Sequence, residues 1–272
     1  MVRQCLFGCL CELSWINNMP MLMINRIAAD NRLKPLSFSV DSGEIVHFIG
    51  PNGSGKSTAI GLISGLFSSG GNITLEGIEL ADYDLASLAR VRSYMSQQDK
   101  PNFAIPVYQY LLMSFTALGE VKDVSKQAAI DEVCGYLGIV DKLSRSIQKL
   151  SGGEWQRVRL ASACLQVWPS LNPDAKYLLL DEPAASLDIG QEASMYKLIR
   201  KIASQGVAVI MANHDLNRTL READKVILLE AGHCIAVGRA QEVMIVSQLE
   251  KVFDTGIVKV NYQGIENLVF VD

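Results

Sequence analysis

An α/β protein built on a mostly parallel core sheet is what this sequence predicts, and two observations carry the prediction. Apolar runs such as YLLL at 177–180 and VAVIMA at 207–212 fall far short of the roughly 20 residues needed to cross a bilayer, and read as strands buried on both faces. Four such runs end directly in polar or glycine-rich clusters: residues 50–57, Gln97, Asp181 with Glu182, and His214. Ligands of open α/β sheets sit outside the carboxyl ends of strands, so these clusters are expected to converge on one site.

The elements follow in order. Residues 24–40 are strand-like, and after the turn DSG at 41–43 the strand EIVHFIG runs into GPNGSGKS at 50–57. Thr58 to Leu66 continues as a helix of small residues, SSGGN turns the chain, and ITLEG is a strand. A helix over 84–92 and a strand RSYMSQQ at 92–98 come next. Residues 99–150 hold Pro101, Pro106 and two helical stretches near 107–117 and 125–137, a candidate helical annex. LSGGEWQRVRL at 150–160 opens an amphipathic helix with Val158, Ala161, Leu165 and Trp168 on one face. KYLLLDEP at 176–183, a helix over 190–205, GVAVIMANHD at 206–215, a hairpin KVILLEAGHCIAVG from 225, a helix and a last strand or two complete the chain.

Composition excludes some functions. The 272 residues carry 25 Lys+Arg against 29 Asp+Glu without a basic block, so sequence-independent nucleic-acid binding has no electrostatic support. Six cysteines lack the paired spacing of a zinc site and read as reduced thiols of a cytosolic protein. Residues 1–20 are expected to be a disordered or mis-assigned extension, with Met19, Met21 or Met23 as the natural start.

GPNGSGKS matches the P-loop pattern, in which glycines turn successive amides inward and the next helix presents its positive end to phosphate. In Gly50, Pro51, Asn52, Gly53, Ser54, Gly55, Lys56, Ser57 and Thr58, the Lys56 ammonium is expected to reach the β and γ phosphates and Ser57 to offer a hydroxyl to Mg²⁺. Asp181 is a candidate for the Mg²⁺ shell, and Glu182 for orienting or deprotonating an attacking water. His214 is placed to donate to the γ phosphate and steady Glu182, and Gln97 to ligate Mg²⁺ or the water; His47 reads as a satisfied core histidine. Ser151 with Glu154 forms a capping-box pattern that leaves Gly152 and Gly153 unexplained, because glycine in a first helical turn costs up to about 1 kcal/mol and implies a close visitor to the backbone. An anion fits that description.

In this order and spacing, GPNGSGKS, Gln97, LSGGEWQRVRL, YLLLDEP, ASLD at 185–188 and His214 resemble the ATP-binding subunits of ABC transporters. The resemblance spans about 21–240. It implies a P-loop NTPase fold of the ABC ATPase type, with an antiparallel β part beside the parallel core and a helical subdomain. Its boundaries would be 21–98 for the first part of the ATP-binding core, 99–165 for the helical subdomain with the signature motif, and 166–272 for the second part of the core and the tail. No added regulatory domain is expected after about 240. More narrowly, YMSQQ with FAIPVYQYL, the Glu-Trp pair of LSGGEWQRVRLA, and NPDAKYLLLDEP are similar to bacterial vitamin B12 import ATPases.

That family implies ATP and Mg²⁺ as ligands and a head-to-tail homodimer, in which Ser151, Gly152 and Gly153 of one copy cap the γ phosphate on the other's Lys56 loop, with Ser186 and Asp188 on the facing surfaces. It also implies separate membrane permease subunits docking near 98–112, a periplasmic cobalamin-binding protein reached indirectly, and a peripheral location on the cytoplasmic face of the inner membrane. An ATPase for ferric siderophore or haem import is the neighbouring alternative, and a soluble ABC ATPase of chromosome maintenance or the ribosome is the alternative from another class. One departure stands out. The family places an adenine-stacking aromatic in the N-terminal strand region, and MINRIAADNRLKPL offers none.

Overall fold

The apolar runs that end in polar clusters are neighbours in one sheet. In the computed structural model, which describes residues 20–68, 70–96 and 101–271, β3 (Ile45–Ile49), β6 (Arg92–Met95), β7 (Tyr177–Asp181), β8 (Ala208–Ala212), β9 (Lys225–Glu230) and β10 (His233–Gly238) assemble in the order β10-β9-β3-β8-β7-β6. All neighbours are parallel except the β9–β10 hairpin. Every residue of β3, β7 and β8 is buried, which is why these strands read as continuous apolar runs.

The stretch 24–40 is two strands, not one. β1 (Leu22–Ala29) turns at Asp30, whose φ is +30°, into β2 (Leu33–Val40), and both join β4 (Asn72–Leu75) and β5 (Ile78–Glu79) in an antiparallel sheet of order β2-β1-β4-β5. Between the two sheets lies α1 (Lys56–Ile63), with Ala59, Ile60 and Ile63 inaccessible to solvent in a core shared with Leu36, Phe48, Leu179 and Ile210.

Strand alternation sends the other residues of the parallel sheet the opposite way. Leu178, Leu180, Val209 and Met211 face a second core that includes α3 (Val107–Leu112), α4 (Asp123–Leu137), α5 (Gly152–Gln166) and α6 (Ile189–Ala203), so the helical annex is continuous with the sheet's far face. Helix α2 (Leu85–Val91) leads into β6. The expected helix over 107–117 is α3 followed by a 3-10 turn at Met113–Leu118. Val158, Ala161 and Leu165 are buried on α5 as predicted; Trp168 is buried too, but beyond the helix end at Gln166.

A third core is built by α7 (Leu216–Glu222), α8 (Ala240–Val243), α9 (Val246–Phe253) and a hairpin of β11 (Gly256–Tyr262) and β12 (Ile265–Val271). Cys134 and Cys164 are buried free thiols, and burial pushes the Cys134 thiol up to about 12 and raises Cys164 further. Cys5, Cys9, Cys11 and the expected extension at 1–20 lie outside the described residues, apart from Pro20. Among the described residues no helix is long and apolar enough to cross a membrane.

Ile210 sits at the centre of the parallel sheet with no exposure, flanked by β3 and β7. Ile210→Ala should lower stability by about 2–5 kcal/mol, read from the urea unfolding midpoint.

Candidate functional site

The loop at 50–55 connects β3 to α1, and backbone crowding explains its glycines. Gly50 has φ +147°, and a Cβ there would lie 2.1 Å from the Leu229 carbonyl oxygen; Gly55 has φ +102°, with a Cβ placed 2.8 Å from the Arg32 carbonyl. No other residue fits either position. The Gly232 amide donates to the Ser54 carbonyl at 3.1 Å, so the loop is tied to the β9–β10 hairpin as well. Gly53 and Asn52 are open, and they line a cleft of about 350 Å³ with Asn31, Arg32, Lys56, Ser57, Thr58 and Glu182.

Lys56 is 4% exposed, and its Nζ donates to the carbonyls of Gly50 at 2.8 Å and Pro51 at 3.0 Å. Burial lowers its pKa, opposed by the charges of Glu182 and Asp181. Ser57 Oγ, in the first turn of α1, donates to Asp181 Oδ1 at the end of β7 at 3.0 Å. Burial raises the Asp181 pKa, and the Ser57 hydrogen bond and Lys56 pull it back down. A hydroxyl and one carboxylate side by side, open to a phosphate cleft, suit Mg²⁺, which keeps most of its waters and takes few protein ligands.

Glu182 leaves the strand in the left-handed region, φ +51°. His214 Nε2 lies 2.5 Å from Glu182 Oε1, the contact expected of these two residues. Gln156 of α5 was not singled out in the sequence, yet its Nε2 donates to the carbonyls of Glu182 at 3.2 Å and Pro183 at 3.3 Å, holding that turn. Gln97 lies outside the described residues; β6, the strand leading to it, ends beside β7 as the pattern required.

Behind His214 is a buried polar cluster that sequence reading missed. Asn213 donates to Tyr196 Oη at 2.8 Å and Thr219 Oγ1 at 3.1 Å, and its amide donates to the Phe48 carbonyl at 3.0 Å. His47 Nδ1 is 3.0 Å from Thr219 Oγ1, but its Nε2 is buried without a partner. The expectation of a satisfied core histidine is therefore half right. Burial, with a smaller contribution from the Arg200 charge, lowers the His47 pKa to about 3 and keeps the ring neutral.

The turn at 151–154 forms the capping box in full: Ser151 Oγ accepts from the Glu154 amide at 3.2 Å, and Glu154 accepts from the Ser151 amide at 2.8 Å. The two glycines have different reasons. A Cβ at Gly153 would meet the carbonyl of Ser186, a residue held at φ +69°, at 2.8 Å; Gly152 has open space around it. Asp188 caps α6 by accepting from the Gln191 amide at 2.8 Å. Residues 151–153 are absent from the lining of the phosphate cleft among the described residues, while Ser151 and Gly152 are exposed.

The cleft continues past Ser57 and Thr58 into a larger one of about 620 Å³, lined by the β1–β2 turn from Ala29 to Arg32, Gly61 of α1, Phe67 and Tyr94.

Matching the family profile described as ABC transporter covers residues 33–185, from β2 through the carboxylates and the turn after them. The chain belongs to the ABC transporter family. This cassette is 61% identical over 246 residues to the vitamin B12 import ATP-binding protein BtuD of Photobacterium profundum, covering 90% of this chain and 97% of that one. It is 51% identical to the protein of the same name from Vibrio atlanticus, over 92% of this chain and all of that one. Among solved structures, an inward-facing metal-chelate type ABC transporter superposes with a TM-score of 0.73 at 23% identity, covering 92% of this chain and 96% of that one. The structure of an ATP-binding subunit of an ABC transporter gives 0.72, also at 23% identity, over 86% and 93%. These structural likenesses establish the fold: a parallel-rich core sheet, an antiparallel sheet and a helical part.

Two stability predictions follow from this geometry. Gly152→Ala should be neutral or stabilising by up to about 1 kcal/mol, whereas Gly153→Ala should be destabilising because Ser186 must move; paired urea titrations compare them. His47 has a depressed folded pKa, so its contribution is full above its ordinary value of 6.5 and is lost as pH falls toward about 3. Between pH 7 and 5 it should cost the wild type about 2 kcal/mol, and His47→Gln should show a shallower acid decline in unfolding midpoint.

Proposed function

We propose that this cassette is the ATP-hydrolysing subunit of an importer that powers vitamin B12 uptake through a separate membrane permease. The observation that carries the activity is the hydrogen bond from His214 to Glu182, which lines a cleft together with Lys56 and with Ser57, itself bonded to Asp181. The substrate rests on the relatives at 61% and 51% identity, both named as vitamin B12 import proteins.

In this reading the amides of residues 52–58 and the positive end of α1 bind the phosphates of ATP, and Lys56 Nζ exchanges its two loop carbonyls for phosphate oxygens. Ser57 and Asp181 would hold Mg²⁺, with Gln97 as a further ligand, and the ion would supply neutralising charge to the phosphates. Glu182 orients water against the γ phosphate and accepts its proton as the bond to the ADP oxygen breaks. His214 Nε2–H donates to the Glu182 carboxylate and holds it at the attack angle.

Because Ser151, Gly152 and Gly153 do not line this chain's own phosphate cleft, they serve the ATP of a second copy, in a two-fold homodimer with two composite sites. The segment 99–165 is the helical subdomain, whose groove receives the permease. The complex works at the cytoplasmic face of the inner membrane, and a periplasmic cobalamin-binding protein delivers substrate to the permease.

Lys56→Ala should abolish ATP binding by calorimetry. Glu182→Gln should retain binding, lose roughly 10²–10⁴-fold in hydrolysis, and persist as an ATP-bound dimer in light scattering. Cobalamin uptake in a bacterial strain lacking its own import ATPase should be restored by the wild type and not by Glu182→Gln. Hydrolysis at the wild-type rate in Glu182→Gln would remove the assigned base.

A further inference from the structure

His214 is held through its backbone rather than its ring. The side chain is 46% exposed, Nε2 is engaged by Glu182, and among the described residues no hydrogen bond reaches Nδ1, the atom whose partner ordinarily fixes a histidine's orientation. The residues on either side are fixed instead. The Asn213 amide donates to the Phe48 carbonyl at 3.0 Å, and Asp215 caps α7 by accepting from the Arg218 amide at 2.9 Å. Asn213 spans the gap with its side chain: Oδ1 accepts from the Asp215 amide at 3.2 Å, closing an Asx-turn with His214 at its centre. Because the Asp215 amide can only donate, the carboxamide has one orientation, and Nδ2 is turned to the buried cluster. Its shortest bond there runs to Tyr196 Oη at 2.8 Å, with Thr219 Oγ1 next at 3.1 Å. Tyr196 is a firm anchor. It is 3% exposed and shares a core with Met195, Ile199 and Ile202 of α6, all without exposure. The Arg218 guanidinium lies over its ring at 5.5 Å and pairs with Glu192 of the same helix at 3.5 Å, so α6 and α7 are pinned together at this point.

We propose that Asn213 and Tyr196 are positioning residues for ATP hydrolysis: the Tyr196 hydroxyl anchors the Asn213 carboxamide, the carboxamide sets the turn, and the turn aims the His214 imidazole at Glu182. This rests on the reading of Glu182 as the group that orients the attacking water and of His214 as its support. Neither Asn213 nor Tyr196 is in the lining of the phosphate cleft among the described residues, so their route to the nucleotide runs through the turn. A hydrogen bond weakens steeply as its angle closes, and a misplacement of about 1 Å in a group that positions a reactant can cost on the order of 10²-fold. A buried hydroxyl remote from the phosphates therefore bears on the rate while leaving nucleotide binding alone.

The test is single-turnover hydrolysis of ATP by the full chain in excess, which reads slow rates, with ATP affinity taken from calorimetry. Tyr196→Phe removes one oxygen and keeps the ring under Arg218. It should slow hydrolysis about fivefold, the rate equivalent of one hydrogen bond, with affinity within about twofold of wild type. Asn213→Ala, which opens the turn, should slow it about tenfold or more, again with affinity kept; should that variant fail to fold, Tyr196→Phe decides alone. The readout that mere structural support would not move is the double variant with His214→Ala. In that background, already slow, Tyr196→Phe should change the rate by less than about twofold, because its route to the reaction is gone. Equal slowing in both backgrounds overturns the proposal, as does a loss of ATP affinity that matches the loss of rate, or a Tyr196→Phe rate within about twofold of wild type. Hydrolysis at the wild-type rate in His214→Ala removes His214 from the reaction itself, and the positioning role falls with that reading.

Discussion

Close backbone approach around the loop at 50–55 is the constraint on which the rest of the molecule depends. The Leu229 carbonyl occupies the space of a Gly50 Cβ, the Arg32 carbonyl that of a Gly55 Cβ, and the Gly232 amide bonds the Ser54 carbonyl. Three segments remote in sequence, the β1–β2 turn, the loop and the β9–β10 hairpin, are therefore locked together through main-chain atoms. Side-chain substitution cannot loosen such a joint, and neither sheet can slide relative to the other without opening it. The loop so held keeps its geometry before any ligand arrives, which lowers the ordering cost of binding.

The charges around that loop are poised rather than quenched. Lys56 is buried with only neutral carbonyls as direct partners, and desolvation disfavours its charged form. Asp181 suffers the same burial with the opposite sign, so its carboxylate is disfavoured until positive charge comes near. Each group would be stabilised by what the other side of a nucleotide–metal complex brings: phosphate oxygens for the ammonium, a cation for the carboxylate. Glu182, held at the uncommon φ of +51°, stands between these groups and His214, to which it is hydrogen-bonded.

Much of this was legible in the sequence. Uninterrupted apolar strands announced the doubly covered sheet, and the polar clusters after them announced its carboxyl edge, because burial on both faces and the polarity of loop ends both leave local traces. Glu182 and His214, each at such a strand end, are hydrogen-bonded in the structure. What was not legible depends on contacts between segments apart in sequence: Gly153 reads there only as an unexplained glycine, because the Ser186 carbonyl that crowds it comes from another loop. Asn213 and Thr219 gave no signal and His47 only that of a core histidine, since a buried polar cluster looks in sequence like scattered tolerable residues.

Gln156 connects the Glu182 turn to the exposed start of α5. Its amide holds the carbonyls of Glu182 and Pro183, while its helix begins at the exposed turn of Ser151 and Gly152. Any displacement of α5 along its axis must therefore stretch those bonds and act on the turn that orients Glu182. On the proposed assembly, the turn at 151–153 touches the partner's nucleotide while Gln156, one helical turn further on, touches this chain's own catalytic loop. Closure at one composite site would then be felt as a backbone shift at the other. The two hydrogen bonds are neutral and half-exposed, worth about 1 kcal/mol each, enough to bias the Glu182 turn without locking it. A coupling of that size changes a population several-fold, which suits a cycle in which both sites must open again after hydrolysis.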